Sequence, residues 1–211
     1  MTLFAILGIP CFTVFIASVV VPQAASQRRA GYLPRGTLAL LFLKGFLFAV
    51  PSLIIILLLR RFVPFSYRFF PLYLYYLLVE QLVPLAALAA AYFLAYSQRS
   101  FRELLLFGGG FFTLLGLAEV LYHYGQHDPY FLFILPAVRM AILLFLPIFY
   151  LRFQEWYGVV RALFLALLVM LPVLGAAISY LYMRFYYVWA VLIAAFLFFG
   201  SLVYLALERE Y

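Results

Sequence analysis

Glu119, His123 and His127 fall at every fourth position of "GLAEVLYHYGQHDP", residues 116–129. On a helix that spacing stacks side chains on one face, a turn apart. A carboxylate and two imidazoles arranged so are candidate ligands for a divalent metal, its identity unknown. A carboxylate beside an imidazole is also the raw material of acid–base catalysis. Several features weaken both readings. The pattern is E-x-x-x-H-x-x-x-H and not H-E-x-x-H, and Gly125 and Pro129 interrupt a helix near its third member. Asp128, just before Pro129, has the chemistry of a turn or helix cap. A wet turn at a membrane surface accounts for both histidines without any reaction.

Two more ionisable residues lie inside apolar runs: Glu80 in "YYLLVEQLVP" and Arg139 in "LPAVRMAILL". A charge in hydrocarbon costs roughly 2.5–3.5 kcal/mol on insertion scales, so such residues pair with one another or line a functional path. Glu80 lies about 12 Å and Arg139 about 13 Å below the same membrane surface at the helical rise of 1.5 Å per residue. Their matched depths make them a candidate ion pair. Glu119 and His123 complete a group of four ligand- or ion-binding candidates in one half of the bilayer. Pro84 cannot donate the hydrogen bond that the Glu80 carbonyl would receive in a regular helix, leaving a possible acceptor beside the carboxylate. Tyr73, Tyr75, Tyr76, Tyr122, Tyr124 and Tyr130 could line the mouth of such a site, although an interfacial aromatic belt explains most of them. Lys44, near the other end of its run, can snorkel to the surface.

The elements that must hold these residues follow from composition. Of 211 residues, 70% are hydrophobic and only 10% charged, against about 25% charged in a soluble domain. Apolar runs recur along the whole chain, which predicts an all-α, polytopic transmembrane bundle forming one membrane domain across residues 1–211. About seven spans are expected: 3–22, 38–59, 72–96, 104–122, 130–151, 159–182 and 185–206. The first has no preceding Lys or Arg and is too long for a signal peptide, so it reads as a retained span. "MRFY", residues 183–186, predicts a tight hairpin. Residues 60–71 are too short and too charged to span, and suit the interface. Pro51, Pro84, Pro147 and Pro172 can kink their helices. "PLAALAAAY" at 84–92 and "GGG" at 108–110 offer surfaces for close helix approach.

The net charge of +7 comes from short clusters at run ends. That distribution suits membrane orientation and anionic lipid, not nucleic acid. Nine positive residues (Arg28, Arg29, Arg35, Lys44, Arg99, Arg102, Arg152, Arg161 and Arg209) fall on one side, against Arg60, Arg61, Arg68 and Arg184 on the other. The excess places the N-terminus outside and the C-terminus in the cytoplasm, in a membrane of the bacterial plasma type; the Arg60–Arg61 pair works against this. Cys11 is the only cysteine, so no internal disulfide forms. No nucleotide, cofactor or complete catalytic motif is present. The leading expectation is a small transport protein or the membrane subunit of a transporter, energised by an ion gradient or a separate subunit. A structural or assembly subunit docking a partner membrane protein stands second. An intramembrane enzyme using Glu119 or Glu80 with His123 stands third.

Overall fold

The computed structural model describes residues 35–62, 68–95, 101–122, 130 and 134–207. The chain there is entirely helical. Helix α1 runs Arg35–Phe62. Helix α2, Phe69–Tyr75, passes through a π-helical stretch at Tyr76–Leu82 into α3, Val83–Ala95, as one rod. Then come α4 (Phe101–Tyr122), α5 (Leu135–Glu155), α6 (Gly158–Met183) and α7 (Tyr187–Leu207). The described residues thus hold six helical rods, not the seven expected, and the first expected span, 3–22, lies outside them. Four rods are long and apolar enough to cross a membrane: Ala39–Phe62, Phe70–Tyr92, Gly158–Met183 and Tyr187–Tyr204. The protein is an integral, multi-pass, all-α membrane protein.

Burial separates inner from outer helices. Residues 105–113 of α4 and 138–144 of α5 are buried without a break. A helix buried on every side belongs at the centre of a bundle. By contrast, α1, α6 and α7 turn Leu43, Leu47, Ile54, Leu163, Val169, Leu192, Phe196 and Phe199 outward. Exposed apolar side chains in such number are compatible with lipid and not with water. The charged residues of the inner helices are therefore shielded by protein.

The triple glycine is used as expected. Helix α1 packs closely on α4. A Cβ on Gly45 would meet the Phe107 carbonyl, and one on Gly110 would meet the Phe42 carbonyl. The two backbones touch directly, as small-residue interfaces in membranes allow. The inner face of α1 is Leu41, Gly45, Ala49, Ser52 and Ile56, one turn after another. Continued upward, that stripe arrives at Arg60.

The predicted hairpin between the last two helices closes through a Schellman arrangement. The Tyr186 N–H donates to the Leu181 carbonyl and the Phe185 N–H to the Tyr182 carbonyl. Phe185 holds φ at 67°, a left-handed conformation that costs an L-residue roughly 1–2 kcal/mol. Its ring meets Tyr187 edge-on at 5.9 Å. Phe185→Gly is expected to raise stability by about 1 kcal/mol, seen as a higher thermal unfolding midpoint in detergent. A lower midpoint would mean that the ring contact outweighs the strain. Residues 63–67 lie outside the described residues, so the expected interfacial segment is defined only where α1 ends and α2 begins.

Candidate functional site

Four charged side chains from four helical segments meet in the protein interior. Arg60 comes from the last turn of α1, Glu80 from the π stretch, Glu119 from the last turn of α4 and Arg139 from the first turns of α5. Arg60 Nη2 donates to Glu80 Oε1 at 2.6 Å and to Glu119 Oε1 at 3.2 Å. Arg139 Nη2 donates to Glu119 Oε1 at 2.8 Å, and lies 3.7 Å from Glu80 Oε2. Charges of alternating sign thus close a ring, and their formal sum is zero. The Arg60 side chain is 12% exposed and the other three 4–6%.

The expected Glu80–Arg139 contact exists, but it is the longest edge of this ring. The tighter pairs are Arg60 with Glu80 and Arg139 with Glu119. Its position beside Arg61 at the end of a span puts Arg60 with the surface charges between spans, but it is a member of the cluster. Its neighbour Arg61 is exposed. The signal that distinguishes them is helical phase. Arg60 continues the small and buried stripe through Ala49, Ser52 and Ile56, whereas Arg61 is turned away from it by the helical advance of one residue.

Aromatic rings close over the ring of charges. The Arg60 guanidinium lies 5.8 Å from the centre of Tyr122, and that of Arg139 lies 6.0 Å from Phe112. Such faces attract a cation. Tyr75 stands within electrostatic reach of Arg60 and Glu80, and Tyr130 within reach of Glu80 and Glu119. Of the tyrosines expected at a mouth, Tyr130 is fully buried, and its hydroxyl is hydrogen-bonded to Ser179. Ser179 donates its own proton to the Gly175 carbonyl at 3.1 Å, so Tyr130 is the donor toward Ser179. Tyr73 donates to the Val173 carbonyl at 3.2 Å, anchoring α2 on α6.

The π stretch supplies the local reason for Glu80's position. Pro84 removes a donor from the helical ladder. Just before it the helix widens, and the Val83 N–H reaches back to the Leu78 carbonyl. Five-residue spacing of this kind inserts a residue into the turn. Consecutive residues Val79, Glu80 and Gln81 are all buried there. The ladder therefore changes register ahead of the proline. Gln81 packs on Gly175, where an added Cβ would sit 2.8 Å from its carboxamide carbon. Below it, Pro84, Leu88 and Ala91 continue the buried face.

The cluster is not fully satisfied. Glu80 Oε2, Glu119 Oε2 and Arg139 Nε are buried and have no hydrogen-bond partner among the described residues. Two acceptors and one donor thus remain unused at a single place. Unmatched buried polar atoms are costly, and in native structures they call for a specific explanation.

His123, His127 and Asp128 lie outside the described residues. Glu119, their expected companion, is engaged by two guanidinium groups. No group of three metal-ligating side chains occurs among the described residues. Compared with known protein families, curated proteins and solved structures, the chain matches none.

Proposed function

We propose that this protein is a small membrane transport protein, or the membrane subunit of a transporter, with the four-charge ring as its polar site. The carrying observation is a buried ring of charges in which two carboxylate oxygens and one guanidinium N–H have no hydrogen-bond partner among the described residues. A bundle of this composition can pack with apolar side chains alone. Replacing buried ion pairs by apolar residues of similar size is often neutral or stabilising in folded proteins. Four ionisable groups within the membrane therefore read first as a functional site. In this reading the compact ring is the closed form of that site. Energy would come from an ion gradient or a separate subunit.

A second reading has its own support. A directly paired cluster of zero net charge is also what a structural or assembly subunit would use to fix the register of its helices. Water access separates the two. With Cys11→Ser as background, Ser52→Cys and Ser179→Cys would be exposed to small water-soluble thiol reagents in native membranes. Ser52 lies about 12 Å below Arg60 along α1, and Ser179 is buried beside Tyr130. Transport expects both positions to react as the site opens. A scaffold expects neither to react on the same timescale.

The proposed topology keeps seven spans, adding residues 3–22 to the six rods, with the N-terminus outside and the C-terminus in the cytoplasm of a bacterial-type plasma membrane. Support comes from Arg60. Engaged by Glu80 and Glu119, it ceases to count as a free charge on the outer side, and the pair that opposed this orientation shrinks to Arg61.

A further inference from the structure

We infer that the solute held by this ring is a zwitterion: a small molecule joining an ammonium group to an anionic group, with no net charge. The inference rests on the transport reading and names its substrate class.

Three observations carry it. The first is neutrality. Arg60, Glu80, Glu119 and Arg139 sum to zero in a site walled by protein within an apolar bundle. A solute with net charge would leave one charge uncompensated there, whereas a zwitterion keeps the balance. The second is the identity of the atoms that have no hydrogen-bond partner among the described residues. Glu80 Oε2 and Glu119 Oε2 accept, and Arg139 Nε donates. An ammonium group supplies N–H donors to the two oxygens, and a carboxylate or phosphate oxygen takes the guanidinium proton. An amine alone leaves the guanidinium unmatched, and an anion alone leaves both oxygens unmatched.

The third is the shape of the ring. Three of its edges are hydrogen bonds of 2.6, 2.8 and 3.2 Å, but Arg139 to Glu80 is 3.7 Å with no hydrogen bond. This is the edge that opens most readily. Opening it exposes a guanidinium facing a carboxylate, which is the complement of a linked anion and ammonium. The solute then replaces the weakest contact of the ring, while Arg60–Glu80 and Arg139–Glu119 persist. Glu80 lies in the π stretch, where a change of ladder register supplies a means of moving it. Tyr130 and Ser179 stand on the α6 side of the same carboxylates, so a probe at position 179 reports on occupancy.

The test uses the labelling rate of Ser179→Cys, in the Cys11→Ser background, in native membranes. The probes are glycine and 4-aminobutyrate as zwitterions, glycine methyl ester as the lone cation, N-acetylglycine as the lone anion and glycerol as an uncharged control. At a concentration roughly ten times Kd, at least one zwitterion is expected to slow labelling about tenfold. The ester, the N-acetyl compound and glycerol should leave the rate within about twofold of the solute-free value. If a lone ion or glycerol protects equally, or if position 179 labels and nothing protects it, the zwitterion assignment falls and the transport reading stands. If position 179 never labels, both fall. Should the cysteine variant fail to fold, the same probes are compared by their effect on the thermal midpoint of the unmodified protein. Only zwitterions should raise it, and equal shifts across the set would overturn the assignment.

Discussion

Replacing Glu119 with Ala alone will destabilise the protein by about 3–5 kcal/mol, the usual cost of stranding a buried charge. Glu119 Oε1 is the acceptor for both guanidinium groups, at 3.2 and 2.8 Å. Without it, Arg60 and Arg139 share one carboxylate, and the interior carries one unbalanced positive charge. Glu119→Ala combined with Arg139→Leu removes one charge of each sign and leaves the 2.6 Å Arg60–Glu80 pair. The double variant should therefore be more stable than the single one. Glu80→Ala with Arg60→Leu should behave in the same way, leaving the 2.8 Å Arg139–Glu119 pair. Both cycles are measurable by reversible unfolding in mixed micelles. Additive losses, with the double variant worse than either single one, would show that the four charges do not act as a unit.

The second large effect is expected at the α1–α4 contact. An added methyl at Gly45 or Gly110 meets a carbonyl of the facing backbone. Backbone cannot rotate aside as a side chain can, so the helices must separate along their whole contact. Gly45→Ala and Gly110→Ala should each cost about 3 kcal/mol or more, the upper end of overpacking penalties. Gly108 is the internal control. Its added methyl meets the end of the Leu143 side chain, which has other rotamers available, so Gly108→Ala should cost about 1 kcal/mol. Equal losses at all three positions would show that backbone approach is not what matters. Separation of α1 from α4 also pulls Arg60 away from Glu119, so solute protection should fall together with stability at Gly45 and Gly110.

The helices were legible in the sequence because hydrocarbon thickness dictates their length. The expected runs 38–59 and 72–96 match α1 and the rod containing Glu80 to within a few residues. The hairpin at 183–186 could be read for the same reason: two long apolar runs leave no room for a longer connection. The register change at Tyr76–Leu82 could not be. Pro84 signals a missing donor, but the response of the ladder depends on what packs around it. Three members of the ring could be found from the sequence because a charge in an apolar run stands out. Arg60 could not be found so directly, since it sits next to Arg61 at the end of a span, where paired arginines ordinarily face headgroups. Its phase relative to Gly45, Ala49 and Ser52 carried the information. Neighbourhood in space was the other missing quantity. Depth along a span follows from counting residues, but which helices adjoin depends on the α1–α4 glycine contact and on the central position of α4 and α5.

The zero sum of the ring reaches beyond packing. An elementary charge crossing the whole membrane field exchanges about 2.3 kcal/mol per 100 mV. Two guanidinium and two carboxylate groups that shift together exchange none, because the work on one pair cancels the work on the other. If the ring moves as a body, its motion is blind to membrane potential and produces no gating current. With a net-neutral passenger as well, the only charge moved through the field in a full cycle would be that of a coupling ion.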